Sequence, residues 1–232
     1  KYAPPTGFLA LCEDNLPAPA IADPGEHFKT VLYTGALTAG GGRSVSGVGF
    51  KPDLIWIKNR SRSGTSGDGY SDHALFDSVR GYDSWLASNT TNAENTNSPT
   101  MRLTGVHEDG FSVGYYYVTG YNGDDYVAWC WKAGGAAVTN NEGSITAQVS
   151  ANPTAGFSIA TYSGGSGTVG HGLGKKPSLI IEKKRGTTGD WLVTTDVIDG
   201  SMDYLRLNLT TTASSAVIAA PTSTVFTPNI GS

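Results

Sequence analysis

Apolar and polar residues along this chain alternate in short runs, broken by clusters of Gly, Asn, Asp and Ser. That pattern predicts strands and turns, and no segment sustains the 3.6-residue period of a helix. Strands are predicted over residues 28–34, around Val31 and Tyr33, and over 73–76, 85–87, 101–106 and 111–117. Residues 53–58 differ: Leu54, Ile55, Trp56 and Ile57 form an unbroken apolar run. Such a run is expected to be covered on both faces, with Leu54 and Trp56 pointing one way and Ile55 and Ile57 the other. The heaviest predicted strand is 126–133. Alternation places Val127, Trp129 and Trp131 on one face, with Ala128 and Cys130 opposite. The tryptophan face, with Trp56, is expected to anchor the first core. The fold class that follows is all-β, an antiparallel sandwich or a barrel.

The pattern is written twice. Gly49, Pro52, Leu54, Ile55, Lys58 and Arg60 recur at one constant offset as Gly174, Pro177, Leu179, Ile180, Lys183 and Arg185. Upstream, TVLYTG around Tyr33 matches SIATYSG around Tyr162. Downstream, SWLASNTT ending at Thr91 matches DYLRLNLTT ending at Thr211, and Gly110-Phe111-Ser112-Val113 is echoed by Val225-Phe226-Thr227. An internal repeat of this kind predicts two related modules. The expected division is a Pro-rich linker over 1–26, a sandwich over 27–135, a linker with the approach to a first strand over 136–156, and a second sandwich over 157–232. The repeated phrase has a structural explanation. Its glycine allows a tight turn, its proline precedes the ladder, and Leu-Ile fills a core. The second copy has Ile181 where the first has Trp56, and it has no counterpart of 126–133. A sandwich without that closing strand exposes an edge. Further chain in a longer protein is the expected source of the strand, with another copy as the alternative.

Composition narrows the functional classes. The chain has 232 residues, 31 of them Gly, and a formal net charge of −4. The mildly acidic balance argues against a general nucleic-acid binder, which needs a basic stripe for phosphates. No apolar run reaches the length of a membrane span, and no signal peptide is visible. Cys12 and Cys130 are too sparse for a disulfide framework and lack metal-ligand spacing. They are read as two buried thiols, a disulfide between them being the alternative.

Candidate chemistry is thin. His27, His73, His107 and His171 sit in no G-x-S-x-G or H-E-x-x-H setting. Asp77, Asp83, Glu108 and Asp109 are carboxylates whose simplest reading is surface solvation and not a glycosidase pair. No enzyme activity is expected. Two oxygen-rich loops are calcium candidates, one bounded by Asp68 and Asp72 and the other running over 122–125; Asx turns explain the same residues without a metal. No other cofactor is expected. A glycan site is the more specific candidate. Tyr115, Tyr117 and Tyr121 lie close in sequence to Asn122, Asp124 and Asp125. Aromatic faces suit sugar C–H surfaces and the polar groups suit hydroxyls. Strand and hairpin packing is the alternative for these tyrosines. Tyr70, Tyr82 and Trp191 are weaker candidates. Asn59, Asn89 and Asn208 match the glycosylation sequon.

The phrase KYAPPTGFLALCEDNLP resembles the tail of a SPRY-type sandwich in large structural proteins of tailed bacteriophages, especially marine ones. The phrases VGFKPDLIWIKNR, HALFDSVRG, LASNTT, DGFSVG and YVAWCWKAGG resemble the tandem module that follows there. The resemblance implies lectin-like sandwiches of the concanavalin or jelly-roll type in a tail fibre, spike or surface appendage of a virion, with no family active site. It implies virion proteins as partners, a homo-oligomer such as a trimer, exposure on the particle surface and contact with host glycans. In a protein made in bacteria the sequons are expected to stay unmodified. A decoration or assembly module without a ligand is the runner-up, and a polysaccharide-degrading spike is an outside alternative.

Overall fold

A computed structural model of the protein describes residues 19, 21–35, 42–62, 71–95 and 102–229. Cys12, Asp68, Tyr70 and most of the expected first linker lie outside them. Among the described residues there are only strands and one 3-10 turn, Pro24–Glu26. The fold is all-β, built from antiparallel sheets as a sandwich.

The first sandwich has a large sheet of β1 (Phe28–Thr34), β8 (Asp125–Trp131), β3 (Leu54–Asn59), β4 (His73–Asp77) and β5 (Leu86–Ala87), in that order. Facing it is a small sheet of β2 (Arg43–Ser46), β7 (Gly110–Val113) and β6 (Leu103–His107), ordered β2-β7-β6. Their shared core holds Tyr33, Ile55, Ile57 and Phe76 from one side and Val45, Phe111 and Val113 from the other. β3 lies between β8 and β4 in the sheet, and its two faces are both packed: Ile55 and Ile57 are buried in the core, while Leu54 and Trp56 are half-buried against Leu75, Leu86 and Trp191. The turn before it needs its glycine. Gly49 adopts φ +85° and Gly174, in the second copy, φ +68°, a region that side chains with a Cβ enter at a cost.

One expectation is reversed. The core-facing residues of β8 are Tyr126, Ala128 and Cys130, each fully buried. Val127, Trp129 and Trp131 are only half-buried and lie on the outer face, beside Leu54 and Trp56. Small Ala128 and Cys130 leave room for Ile55, Ile57 and Phe111, and the bulk goes outward. Burial pushes the free Cys130 thiol up to about 12. The outer face is apolar because the second half of the chain packs on it. Trp131 stacks on Phe157 at 6.1 Å, and Trp191 is buried against Leu75 and Leu86.

The stretch expected to be a linker with the approach to a first strand, 136–156, supplies two strands, β9 (Val138–Asn140) and β10 (Ala147–Asn152). They form a sheet β11-β10-β9 with β11 (Phe157–Tyr162). β12 (Val169–Gly170) pairs with β17 (Val225–Phe226), as β2 pairs with β7. β13 (Leu179–Glu182), β14 (Leu192–Thr195), β15 (Asp203–Arg206) and β16 (Ser214–Ser215) form a sheet in chain order. The core here is small: Ala147, Val149, Val169 and Phe226, with Ala160, Tyr162 and Ile180 partly buried against it.

Polar contacts fasten the two halves. The Trp191 indole N–H donates to the Ala87 carbonyl at 2.8 Å. The Glu94 N–H donates to the Arg185 carbonyl at 2.8 Å, and the Ser150 hydroxyl donates to the Gly135 carbonyl at 2.8 Å.

Candidate functional site

The tyrosine-rich stretch begins where β7 ends. The predicted strand over 111–117 stops at Val113, and residues 115–124 form a turn that leads into β8. The reason lies beneath it. The Tyr126 hydroxyl, in the core strand, donates to the Tyr117 carbonyl at 2.8 Å and accepts from the Tyr121 N–H at 2.9 Å. The Asn59 amide donates to the Tyr117 carbonyl at 3.0 Å and to Asp124 at 2.9 Å. The Tyr33 hydroxyl donates to the Thr119 carbonyl at 2.6 Å, and the Gly35 N–H to the Asp124 carbonyl at 2.8 Å. Buried polar groups thereby bond the loop backbone in place of a ladder. Burial raises the phenol of Tyr33 and, with some relief from its hydrogen bonds, that of Tyr126. Both therefore stay neutral and able to donate.

On this support three of the predicted residues come together. Tyr121 lies 4.4 Å from Tyr117, nearly parallel at 18°, and 4.8 Å from Tyr115. It sits in the middle of a three-ring stack, and all three residues are half-buried. A hydrogen bond with Tyr121 holds the Tyr115 phenol above its ordinary range. Tyr116 turns the other way, against the core, with the Arg102 guanidinium 4.3 Å from its ring centroid.

The polar candidates divide. Asn122 and Asp125 are exposed, and Asp125 accepts from the Thr34 hydroxyl at 2.9 Å. Asp124 is buried and bonded to Asn59 and Arg62, so its carboxylate holds the loop. Arg62 had no signal in the sequence. It follows β3 and places its guanidinium 4.6 Å from the Tyr121 centroid and 5.2 Å from that of Tyr117. Its hydrogen bond to Asp124 is the largest influence raising its pKa, so the guanidinium over the rings is a cation paired with the Asp124 carboxylate.

The remaining candidates have structural duties. The Tyr82 hydroxyl donates to the Pro52 carbonyl at 2.8 Å. Asp72 is buried and accepts from the Asn89 amide at 2.9 Å, while its proposed calcium partner Asp68 lies outside the described residues. Among the described residues no three His, Cys, Asp or Glu side chains gather as a metal site. Asn59, the first sequon asparagine, is fully buried.

A family described as Domain of unknown function (DUF7483) matches residues 23–232. The chain belongs to the DUF7483 family. The match spans both repeat copies and the strands between them, so the DUF7483 unit contains the duplication and the tyrosine stack together. No curated protein and no solved structure matched the chain.

Proposed function

We propose that this chain is a structural module of a tailed-phage particle, carried on the particle surface, whose tyrosine stack touches a host glycan. One observation carries the binding part: Tyr115, Tyr117 and Tyr121 are gathered beside Arg62 on a loop that the core holds at four backbone points. Rigid aromatics with hydroxyls and a nearby cation offer what a sugar recognises, apolar C–H patches next to hydrogen-bonding groups. The phage part rests on the resemblance of the repeated phrases. In such a setting the partners are other virion proteins and further copies of the chain, a trimer being the expected assembly. The reading assigns no reaction.

The test is binding of the purified chain to host cells and to an array of bacterial surface glycans. Tyr115→Ala, Tyr117→Ala and Tyr121→Ala together should abolish binding and leave the near-UV spectrum of the buried aromatics in place. A chain that binds no glycan, or whose binding survives the triple substitution, overturns the adhesive reading. The runner-up, an assembly module without a ligand, then stands. Release of reducing ends from host polysaccharide would replace both readings with a depolymerase.

A further inference from the structure

Between the two sandwiches runs a cleft of about 1600 Å³. That exceeds the roughly 300–1,000 Å³ of a small-molecule pocket. Its walls are β11 and β13. Among the described residues each has a strand partner on one side only, β10 for β11 and β14 for β13.

The first sandwich shows what belongs in such a place. Phe28 and Tyr33 of β1 correspond to Phe157 and Tyr162 of β11, and Leu54 and Ile55 of β3 to Leu179 and Ile180 of β13. Between β1 and β3 lies β8, paired antiparallel to β1 over Asp125–Trp131 and to β3 over Tyr126–Trp131. The cleft is the same position in the second sandwich.

We propose that this cleft is a strand-acceptor slot, and that its occupant is an extended segment with the β8 pattern: aromatic, large apolar, Ala, large apolar, Cys. The occupant would add a strand antiparallel to both edges, the mode in which backbone hydrogen bonds supply affinity and alternate side chains supply specificity. The register follows from the repeat. The position of Ala128 falls opposite Ala160 and Glu182, that of Cys130 opposite Ser158 and Ile180, and that of Trp129 opposite Ile159 and Ile181.

Both faces of the slot fit this pattern. On one side it opens onto Phe226 of the small core, where residues the size of Ala and Cys can close the sandwich. On the other it opens onto Leu54, Trp56 and Trp131 of the first sandwich, where large apolar side chains can fill the gap. Leu179 is 57% exposed and Ile181 44%, although their counterparts Leu54 and Trp56 are half-buried. The pattern occurs once more in this sequence, at Phe8, Ala10 and Cys12. This inference is independent of the glycan reading.

The test adds peptides to the full chain. One copies residues 125–133, a second copies residues 7–13, and a control copies 125–133 with Trp129→Pro, which removes a ladder donor. The first two should bind saturably, one per chain, and compete with each other. Amide exchange should slow by about tenfold or more over 157–162 and 179–182 and stay unchanged over 28–34. The proline peptide should bind at least about tenfold more weakly, as should the first peptide to an Ile181→Asp chain, whose altered side chain is exposed in the free protein. The proposal fails if neither peptide binds saturably, if protection maps away from β11 and β13, or if the proline peptide binds equally well.

Discussion

Glu94 and Arg185 join the two sandwiches through one carboxylate, with the guanidinium 2.8 Å from Oε2 and its Nε 3.1 Å from Oε1. Arg80 meets the same carboxylate from the first sandwich at 2.8 Å, and its own side chain is almost fully buried beside Asp77. Burial works to raise the Glu94 pKa, but hydrogen bonds from Arg185 and Arg80 outweigh it and hold the group below the usual range. A carboxyl with a depressed folded pKa stabilises the native state above its unfolded value of about 4.3 and loses that contribution as pH falls through the folded pKa. Glu94→Gln should therefore lower stability at neutral pH by about 1–3 kcal/mol, the range for weakened charged hydrogen bonds, because Arg80 stays buried with less compensation while exposed Arg185 is screened by solvent. It should also flatten the acid limb of the stability curve. Denaturant titrations between pH 7 and pH 3 check both.

Glu182 makes the opposite case. It stands where the first copy has Ile57, and it is buried. Burial pushes its pKa up, against hydrogen bonds from the Asn229 N–H at 3.0 Å and the Tyr162 hydroxyl at 2.8 Å. Ionising it costs more in the folded chain than in the unfolded one. Its contribution is thus most favourable at low pH and is lost as pH rises from about 4.3 through the raised folded value. Glu182→Gln keeps a carbonyl for Asn229 and removes the charge. It should raise the neutral-pH stability of the second sandwich by about 1 kcal/mol and remove this pH dependence. Thermal unfolding at pH 5 and pH 8 measures the change.

Much of this architecture was legible in the residues. The unbroken Leu54–Ile57 run marked a strand covered on both faces, and the constant offset of the repeat marked β3 and β13 as equivalent. The core face of β8 was not legible, because both of its faces are apolar. Alternation separates two faces but cannot say which meets the smaller sheet and which meets another sandwich. Close spacing marked Tyr115, Tyr117 and Tyr121 as candidates, but their stacking depends on the chain turning after Val113, where a continuing strand would have held Tyr115 and Tyr121 apart. Arg62 stayed hidden because it arrives from the far end of β3, and only the sheet brings it there. Asp124 looked like a ligand-facing group and is a bracket for the loop, a distinction that depends on burial.

Gly35 is where the site depends on a missing side chain. A Cβ there would lie 1.9 Å from the Tyr121 carbonyl oxygen, a backbone atom that cannot rotate away. Gly35→Ala should push the loop off its anchors and destabilise the first sandwich by about 2–4 kcal/mol. Glycan binding should fall with it. A melting temperature indistinguishable from the parent's would show that the loop tolerates displacement and is not fixed as described.

Tyr126→Phe separates the support of the site from the stack itself. The ring should remain in the core, 5.1 Å from Tyr33 and nearly parallel to it. Only the hydroxyl leaves, and with it the partners of the Tyr117 carbonyl, the Tyr121 N–H and one Asn59 contact. Tyr117 keeps the Asn59 amide, so the Tyr121 N–H is the group left without a partner inside the loop. The expected cost is about 1–3 kcal/mol, the range for stranding a buried donor. Amide exchange at Tyr121 should quicken, while Ile55 and Ile57 in the core strand keep their protection. If the stack is the glycan surface, binding should weaken without vanishing, because all three rings are still present but less well held. Unchanged exchange at Tyr121 would mean that the loop keeps its shape without the core hydroxyl beneath it.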